Sequence, residues 1–172
     1  DKDPAGTLNF ELRNTIVADI PRDQTSTQPP YGALVVSSLL DEVDILHARP
    51  RLFVMSGGPR LGRFERQFGY MLGTLEERPN GAKKKLAGTF GADEVYKSYE
   101  LFNERYEDQD LKINYEEFAR ARLFDILVGD WSKHEDNWKW AGFKGPNGRM
   151  DVRAIPRDRD HAFSQLDGFF PW

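Results

Sequence analysis

The strongest hydrophobic periodicity lies in residues 115–128. Phe118, Leu123, Ile126 and Leu127 recur at helical spacing and predict one core stripe. Asn114 precedes them as an N-cap residue, Glu117 stands three positions on as in a capping box, and Gly129 supplies a stop. Beyond Gly129 the period changes from helical to two. Residues 138–143 (Trp-Lys-Trp-Ala-Gly-Phe) alternate, residues 145–148 (Gly-Pro-Asn-Gly) form a turn, and residues 150–155 (Met-Asp-Val-Arg-Ala-Ile) alternate back. The pattern predicts a β-hairpin.

The first half of the chain is less regular. Residues 1–30 are polar and carry Pro4, Pro21, Pro29 and Pro30, with residues 8–12 alternating like a short strand. Pro29-Pro30 introduces a helix over residues 32–45, with Leu34, Val35, Leu39, Leu40 and Val43 spaced for a buried face. Residues 52–55 (Leu-Phe-Val-Met) read as a strand stopped by Ser56-Gly57-Gly58-Pro59. Residues 68–75 read as a strand running into a linker, and residues 80–91 as loop. Residues 93–105 read as a helix with Val95, Tyr99 and Phe102 on one side. Helices mixed with antiparallel strands indicate an α+β fold.

Composition narrows the function. The 172 residues are 39% hydrophobic, 30% charged and 13% aromatic, enough to build a core and unlike a disordered chain. The net charge of −4 and the lack of a basic stripe beyond Lys83-Lys84-Lys85 argue against a nucleic-acid partner. There is no cysteine, so disulfides and thiolate metal sites are excluded. That absence suits a periplasmic or envelope location somewhat better than the cytosol. No apolar run nears the ~18 residues of a membrane helix, so direct insertion of this segment is not expected. The abrupt start at Asp1 and the end at Trp172 suggest a segment of a longer polypeptide.

Two polar clusters flank the hairpin. Residues 129–138 include Asp130, Ser132, Lys133, His134, Glu135, Asp136 and Asn137; residues 155–163 include Arg157, Asp158, Arg159, Asp160 and His161. A hairpin brings its two ends together, so both clusters are expected at one cleft. There Asn137 and Asp158 offer oxygen ligands of the kind a hard cation such as Mg²⁺ takes.

This order resembles the protein-kinase-like superfamily, especially atypical members such as phosphatidylinositol kinases, HipA-like kinases and CotH-like kinases. Lys133-His134-Glu135-Asp136-Asn137 resembles the later part of their Asp-Arg-His-x-x-Asn catalytic loop. Asp158-Arg159-Asp160, followed by Phe163, looks like their Asp-x-Asp metal loop. The resemblance is close over residues 114–163 and elsewhere rests on the order of elements. It implies a C-lobe over residues 80–172, with catalytic loop 129–138 and metal loop 155–163. It also implies a truncated N-lobe over residues 1–79, with helix 32–45 and hinge 73–79.

The resemblance further implies an ATP- and Mg²⁺- (or Mn²⁺-) dependent phosphotransferase. Asn137 and Asp158 would hold the metal that bridges the nucleotide phosphates, and Asp160 would support it. His134 would brace the catalytic loop. Lys2, Glu76 and Glu77 would contact the nucleotide from the N-lobe and hinge. One departure stands out: Ser132 occupies the place of the aspartate that accepts the substrate hydroxyl proton, and serine cannot serve as that base near neutral pH. Asp130 is the nearby substitute. The alternative is a pseudokinase that binds a nucleotide without transferring phosphate, or that binds nothing. Residues 75–79 and 155–163 also look similar to stretches of large bacterial envelope proteins that carry a phosphoesterase domain and an outer-membrane barrel.

Other readings compete. Asp130, Asn137 and Asp158 are residue types that turns and caps use for local hydrogen bonds, and a noncatalytic interaction module would require nothing more of them. Residues 106–118 have EF-hand-like spacing at Asp108, Asp110 and Glu117. They lack an oxygen ligand at the first loop position (Tyr106) and a glycine at the sixth (Leu111), so a capped helix–helix turn explains them better. Asp130, His134, Asp158, Asp160 and His161 together suggest a two-metal phosphoesterase, but the motifs of that family are missing. Trp131, Trp138 and Trp140 are expected to pack in the core and loops, and His47 to be structural.

Overall fold

In the computed structural model, residues 4–26, 28–84 and 86–164 are described, and they form an α+β fold of five α-helices and two sheets. Lys2 and residues 165–172 lie outside the described residues. The helices are α1 (Asp19–Ser26), α2 (Gly32–Glu42), α3 (Glu65–Phe68), α4 (Ser98–Glu107) and α5 (Tyr115–Leu127). Strands β1 (Arg51–Val54) and β2 (Leu72–Leu75) pair antiparallel as a two-stranded ribbon. Strands β3 (Glu94–Lys97), β4 (Leu111–Ile113), β5 (Trp138–Lys144) and β6 (Met150–Pro156) form a second sheet in the order β3-β5-β6-β4. Among the described residues, no helix is long and apolar enough to cross a membrane.

The hairpin forms as the alternation predicts. β5 and β6 pair from Trp138↔Pro156 to Lys144↔Met150, and Gly148 N donates to Gly145 O across the turn. Trp138, Trp140, Val152 and Ala154 turn one way, into a core shared with Val36 and Leu40 of α2, Leu101 of α4 and Phe124 of α5. Ala141 and Ile155 turn the other way and pack with Leu46, Val95 and Phe143. Burying these side chains contributes about 1.5–3 kcal/mol for each large one, which makes the four-stranded sheet the mechanical centre of the fold.

α5 begins at the cap the sequence marks. Asn114 Oδ1 accepts from Glu117 N at 3.0 Å, and Asn114 Nδ2 donates to Glu117 Oε2 at 3.2 Å. Its buried face differs from the expected stripe. Glu117, Ala121, Phe124 and Asp125 face inward, whereas Leu123, Ile126 and Leu127 are 67%, 51% and 80% exposed. Phe118 alone of the predicted stripe packs against the core. The helix carries apolar residues on two opposite sides, and the core takes the side whose charged members have partners: Arg153 for Glu117 and Arg159 for Asp125.

Three further expectations are corrected. Residues 8–12 do not make a strand: their amides bond three residues back, as Leu12 N does to Asn9 O at 2.9 Å, giving a 3-10 turn at Phe10–Leu12. The helix expected over residues 93–105 starts only at Ser98. Residues before it pair with β5 as strand β3, in the register Glu94↔Gly142 to Lys97↔Lys139. α2 ends at Glu42 rather than at residue 45, and it buries Gly32, Val36 and Leu40, leaving Val35, Leu39 and Val43 exposed. The EF-like segment contains strand β4, which runs parallel to β6, and Asp108 Oδ1 accepts from Asp110 N in a local turn.

Candidate functional site

The site is built where α5, β5 and β6 end. Gly129 (φ +69°) takes the left-handed conformation that ends α5, and Asp130 N then donates to Asp125 O at 2.8 Å. The chain runs through residues 130–134 into a short 3-10 turn, Glu135–Asn137, which delivers a buried Asn137 to the start of β5. At the end of β6, Arg157 N donates to Asn137 O at 2.8 Å, continuing the hairpin into the two polar loops. Asp158 follows with φ +57°, a left-handed conformation that aspartate tolerates better than most residues. Asn137 Nδ2 donates to Asp158 Oδ2 at 3.1 Å.

These loops open on a cleft of about 590 Å³. Its walls include Thr74 and Glu76 from β2 and its exit, Ala33 of α2, and His134, Asp136, Asn137, Asp158 and Asp160. α2 reaches this wall closely: Gly32 is buried, and a Cβ there would lie 3.0 Å from the Ala162 carbonyl oxygen. Gln28 Nε2 lies 3.2 Å from His161 Nε2. The cleft is crowded with carboxylates. Burial pushes the Glu76 carboxyl above its usual range, and Asp158 and Asp160 add to this while Arg157 opposes it. Burial likewise raises Asp160, with Asp158 adding to the shift and His161 pulling it down. Carboxylates that repel one another at the mouth of a cleft suit a hard cation, which takes oxygen ligands and relieves the repulsion.

A second, larger cleft of about 780 Å³ adjoins the first. Leu40, Ile45, His47, Leu75, Glu76, Glu77 and Phe90 contribute to its lining. Glu76 borders both cavities, and Glu77 Oε1 accepts from Thr89 Oγ1 at 2.8 Å. His47 is a structural residue: it is buried, with Nδ1 2.8 Å from Ile45 O and Nε2 3.0 Å from Ser37 Oγ.

The expected site residues thus separate into two groups. Asn137, Asp158, Asp160, His134 and Glu76 face one cleft, and Glu77 faces the adjoining one. Asp130 does not join them. It is 1% exposed, its Oδ2 lies 2.6 Å from Lys133 Nζ, and its Oδ1 accepts from Ser132 Oγ at 3.3 Å. An aspartate so enclosed braces the loop and has no path to a substrate hydroxyl. Asp130 does not line the cleft that Asp158 and Asp160 share, and Lys133 stands between its carboxylate and the Asp158 carbonyl. Among the described residues, no group of three or more His, Asp or Glu side chains is gathered tightly enough to hold a metal unaided. Trp138 and Trp140 are core residues, and Trp131 is 54% exposed.

A buried ionic network behind the site was not anticipated from the sequence. Arg159 is buried, donates from Nη1 to Asp125 Oδ1 at 2.7 Å and lies over the Phe124 ring. Arg122 donates to the other Asp125 oxygen at 2.8 Å. The Lys133 ammonium is fully buried; it pairs with Asp130 and donates to the Asp158 carbonyl. Burial lowers the Lys133 pKa, with Asp130 opposing the shift, and raises that of Asp125, with Arg159 opposing it. One signal was present in the sequence: Asp125 interrupts the apolar run of α5, and a charge on a core-facing position requires a partner.

Comparison of the chain with known protein families, with curated proteins and with solved structures finds no match. What the site does must therefore be argued from its own chemistry.

Proposed function

We propose that this chain is a kinase-like domain that binds a nucleotide through a divalent cation, with Asn137 and Asp158 as its protein ligands. The supporting observation is the Asn137–Asp158 contact at 3.1 Å, between two residues that line a carboxylate-rich cleft. Mg²⁺ or Mn²⁺ bound there would bridge the phosphates to the protein, and Asp160 and Glu76 would support the cation through the field of their carboxylates. Transfer to an acceptor is impaired in this reading. Ser132 replaces the base, and Asp130 is held by Lys133. The domain then acts as a pseudokinase, or as a slow phosphotransferase that relies on positioning alone.

The test is thermal stability with ATP and Mg²⁺ or Mn²⁺, together and separately. A ligand specific to the folded state adds about 2.7 kcal/mol at a hundredfold excess over its dissociation constant. The expected result is a rise in Tm that needs both metal and ATP and vanishes in a folded Asp158→Ala variant. An undiminished shift in that variant would remove Asp158 from the site.

A second reading has its own observation. The outer face of α5 exposes Leu123, Ile126 and Leu127, an apolar surface of the sort interaction modules present. In this reading the domain, as part of a bacterial envelope protein, is retained for its surface. Neither ATP nor metal would then raise Tm.

A further inference from the structure

Two loops meet at the candidate cation site, and one buried side chain touches both. Lys133 sits in the loop after α5, four residues before Asn137. Its ammonium is fully buried, 2.6 Å from the carboxylate of Asp130 in its own loop. The same ammonium donates to the backbone carbonyl of Asp158, in the loop after β6. Asp158 needs such support, because its φ of +57° is a conformation that side-chain-bearing residues adopt at a cost. Asn137 Nδ2 holds the Asp158 carboxylate, and Lys133 holds its backbone; other ties grip the second loop near this point. Arg157 N bonds Asn137 O, Arg159 bonds Asp125, and Phe163 N bonds Val128 O.

The geometry points to Lys133 as a positioning residue. Clamped by Asp130, it fixes the Asp158 carbonyl and so sets the Asp158 carboxylate against Asn137 for a divalent cation. The inference rests on the cation-site reading above and adds to it the element that preorganises the ligands. It also gives Asp130 a role other than that of a base.

A positional role and a purely electrostatic one predict opposite results. A cation beside Asp158 repels a metal ion. If charge were all that mattered, removing Lys133 would tighten metal binding. If Lys133 holds the ligand in place, its removal weakens binding, on the order of tenfold or more, as loss of a supporting contact behind a metal ligand does.

The experiment is Mn²⁺ titration in the presence of ATP, followed by electron paramagnetic resonance, on wild type, Lys133→Met and Lys133→Arg. The double variant Asp130→Asn with Lys133→Met removes both charges at once, so that a folded protein is available if the single change leaves Asp130 unpaired and unstable. Leu111→Val, a buried core position in β4 opposite Met150 at the end of β6 remote from the two loops, controls for lost stability. Weaker Mn²⁺ binding in Lys133→Met or the double variant, recovery in Lys133→Arg and no change in Leu111→Val are expected. Unchanged or tighter binding in the folded Lys133 variants overturns the inference and leaves the cation site standing. Should wild type bind no Mn²⁺, the functional reading fails, and hydrogen exchange at the Arg157 amide decides the clamp. Roughly tenfold faster exchange there in the variant, with β6 amides unchanged, supports the clamp, and unaltered exchange refutes it.

Discussion

The two sheets of this protein carry similar apolar strands and put them to different use. In the ribbon, every residue of β1 and β2 is exposed: Leu52, Val54 and Leu75 are 52%, 56% and 61% accessible. In the four-stranded sheet, Trp138, Trp140, Val152, Ala154 and Ile155 are each at most 5% exposed. Backbone pairing is complete in both. The contrast shows that hydrogen-bonded register alone does not give a strand a buried face; other elements must also pack over its side chains. The polar loops with Asn137 and Asp158 extend from the enclosed sheet, and the ribbon contributes only Thr74 and, at its exit, Glu76. The enclosed sheet places Asn137 and Asp158, while the ribbon supplies one wall of the cleft.

The largest expected effect breaks the enclosed region at its buried ion network. Asp125→Ala would leave Arg159 buried beside Phe124 without its carboxylate, a loss of about 3–5 kcal/mol when one partner of a buried pair is removed. Denaturant unfolding measures it. A cost below about 1 kcal/mol would mean that Arg159 finds solvent readily and that the loop is not anchored through α5. Next comes Val152→Thr, at a position with no exposure. Threonine keeps the branched shape suited to a strand but buries a hydroxyl among apolar neighbours, which costs about 1–3 kcal/mol. The same unfolding experiment reads it.

How much of this was legible follows from where the physics is local. The hairpin was readable because alternation and the Gly145–Gly148 turn are both encoded over neighbouring residues. The start of α5 was readable because Asn114 and Glu117 satisfy each other three residues apart. The meeting of Asn137 with Asp158 followed from hairpin geometry alone. The inward face of α5 was hidden, since Leu123, Ile126 and Leu127 compete with Ala121 and Phe124 for the core. The choice is made by arginines distant in sequence, Arg153 and Arg159. Strand β3 was hidden for a similar reason: Glu94–Lys97 has no local preference strong enough to resist pairing with β5. Lys133 was legible as a charge and illegible as a clamp, because its second partner lies 25 residues away.

The smallest expected effect is the most exacting test of the comparison between the sheets. Val54→Thr makes, in the ribbon, the same chemical change as Val152→Thr in the enclosed sheet. Val54 is 56% exposed, so the new hydroxyl has water at hand and little apolar contact is lost. A change within about 0.5 kcal/mol is expected, as for surface substitutions generally. Both valines sit in strands, Val54 opposite Leu72 in the two-stranded ribbon and Val152 between Gly142 and Ile113 in the larger sheet, and threonine keeps the β-branched shape at each. The difference between the two costs therefore reads enclosure together with the central place of β6 in its sheet. If Val54→Thr costs as much as Val152→Thr, the ribbon is covered in solution, and sedimentation across a concentration series would show whether a second copy of the chain covers it. If the two costs differ by about 1–2 kcal/mol, the ribbon stands free and the stability that positions Asn137 and Asp158 resides in the four-stranded sheet.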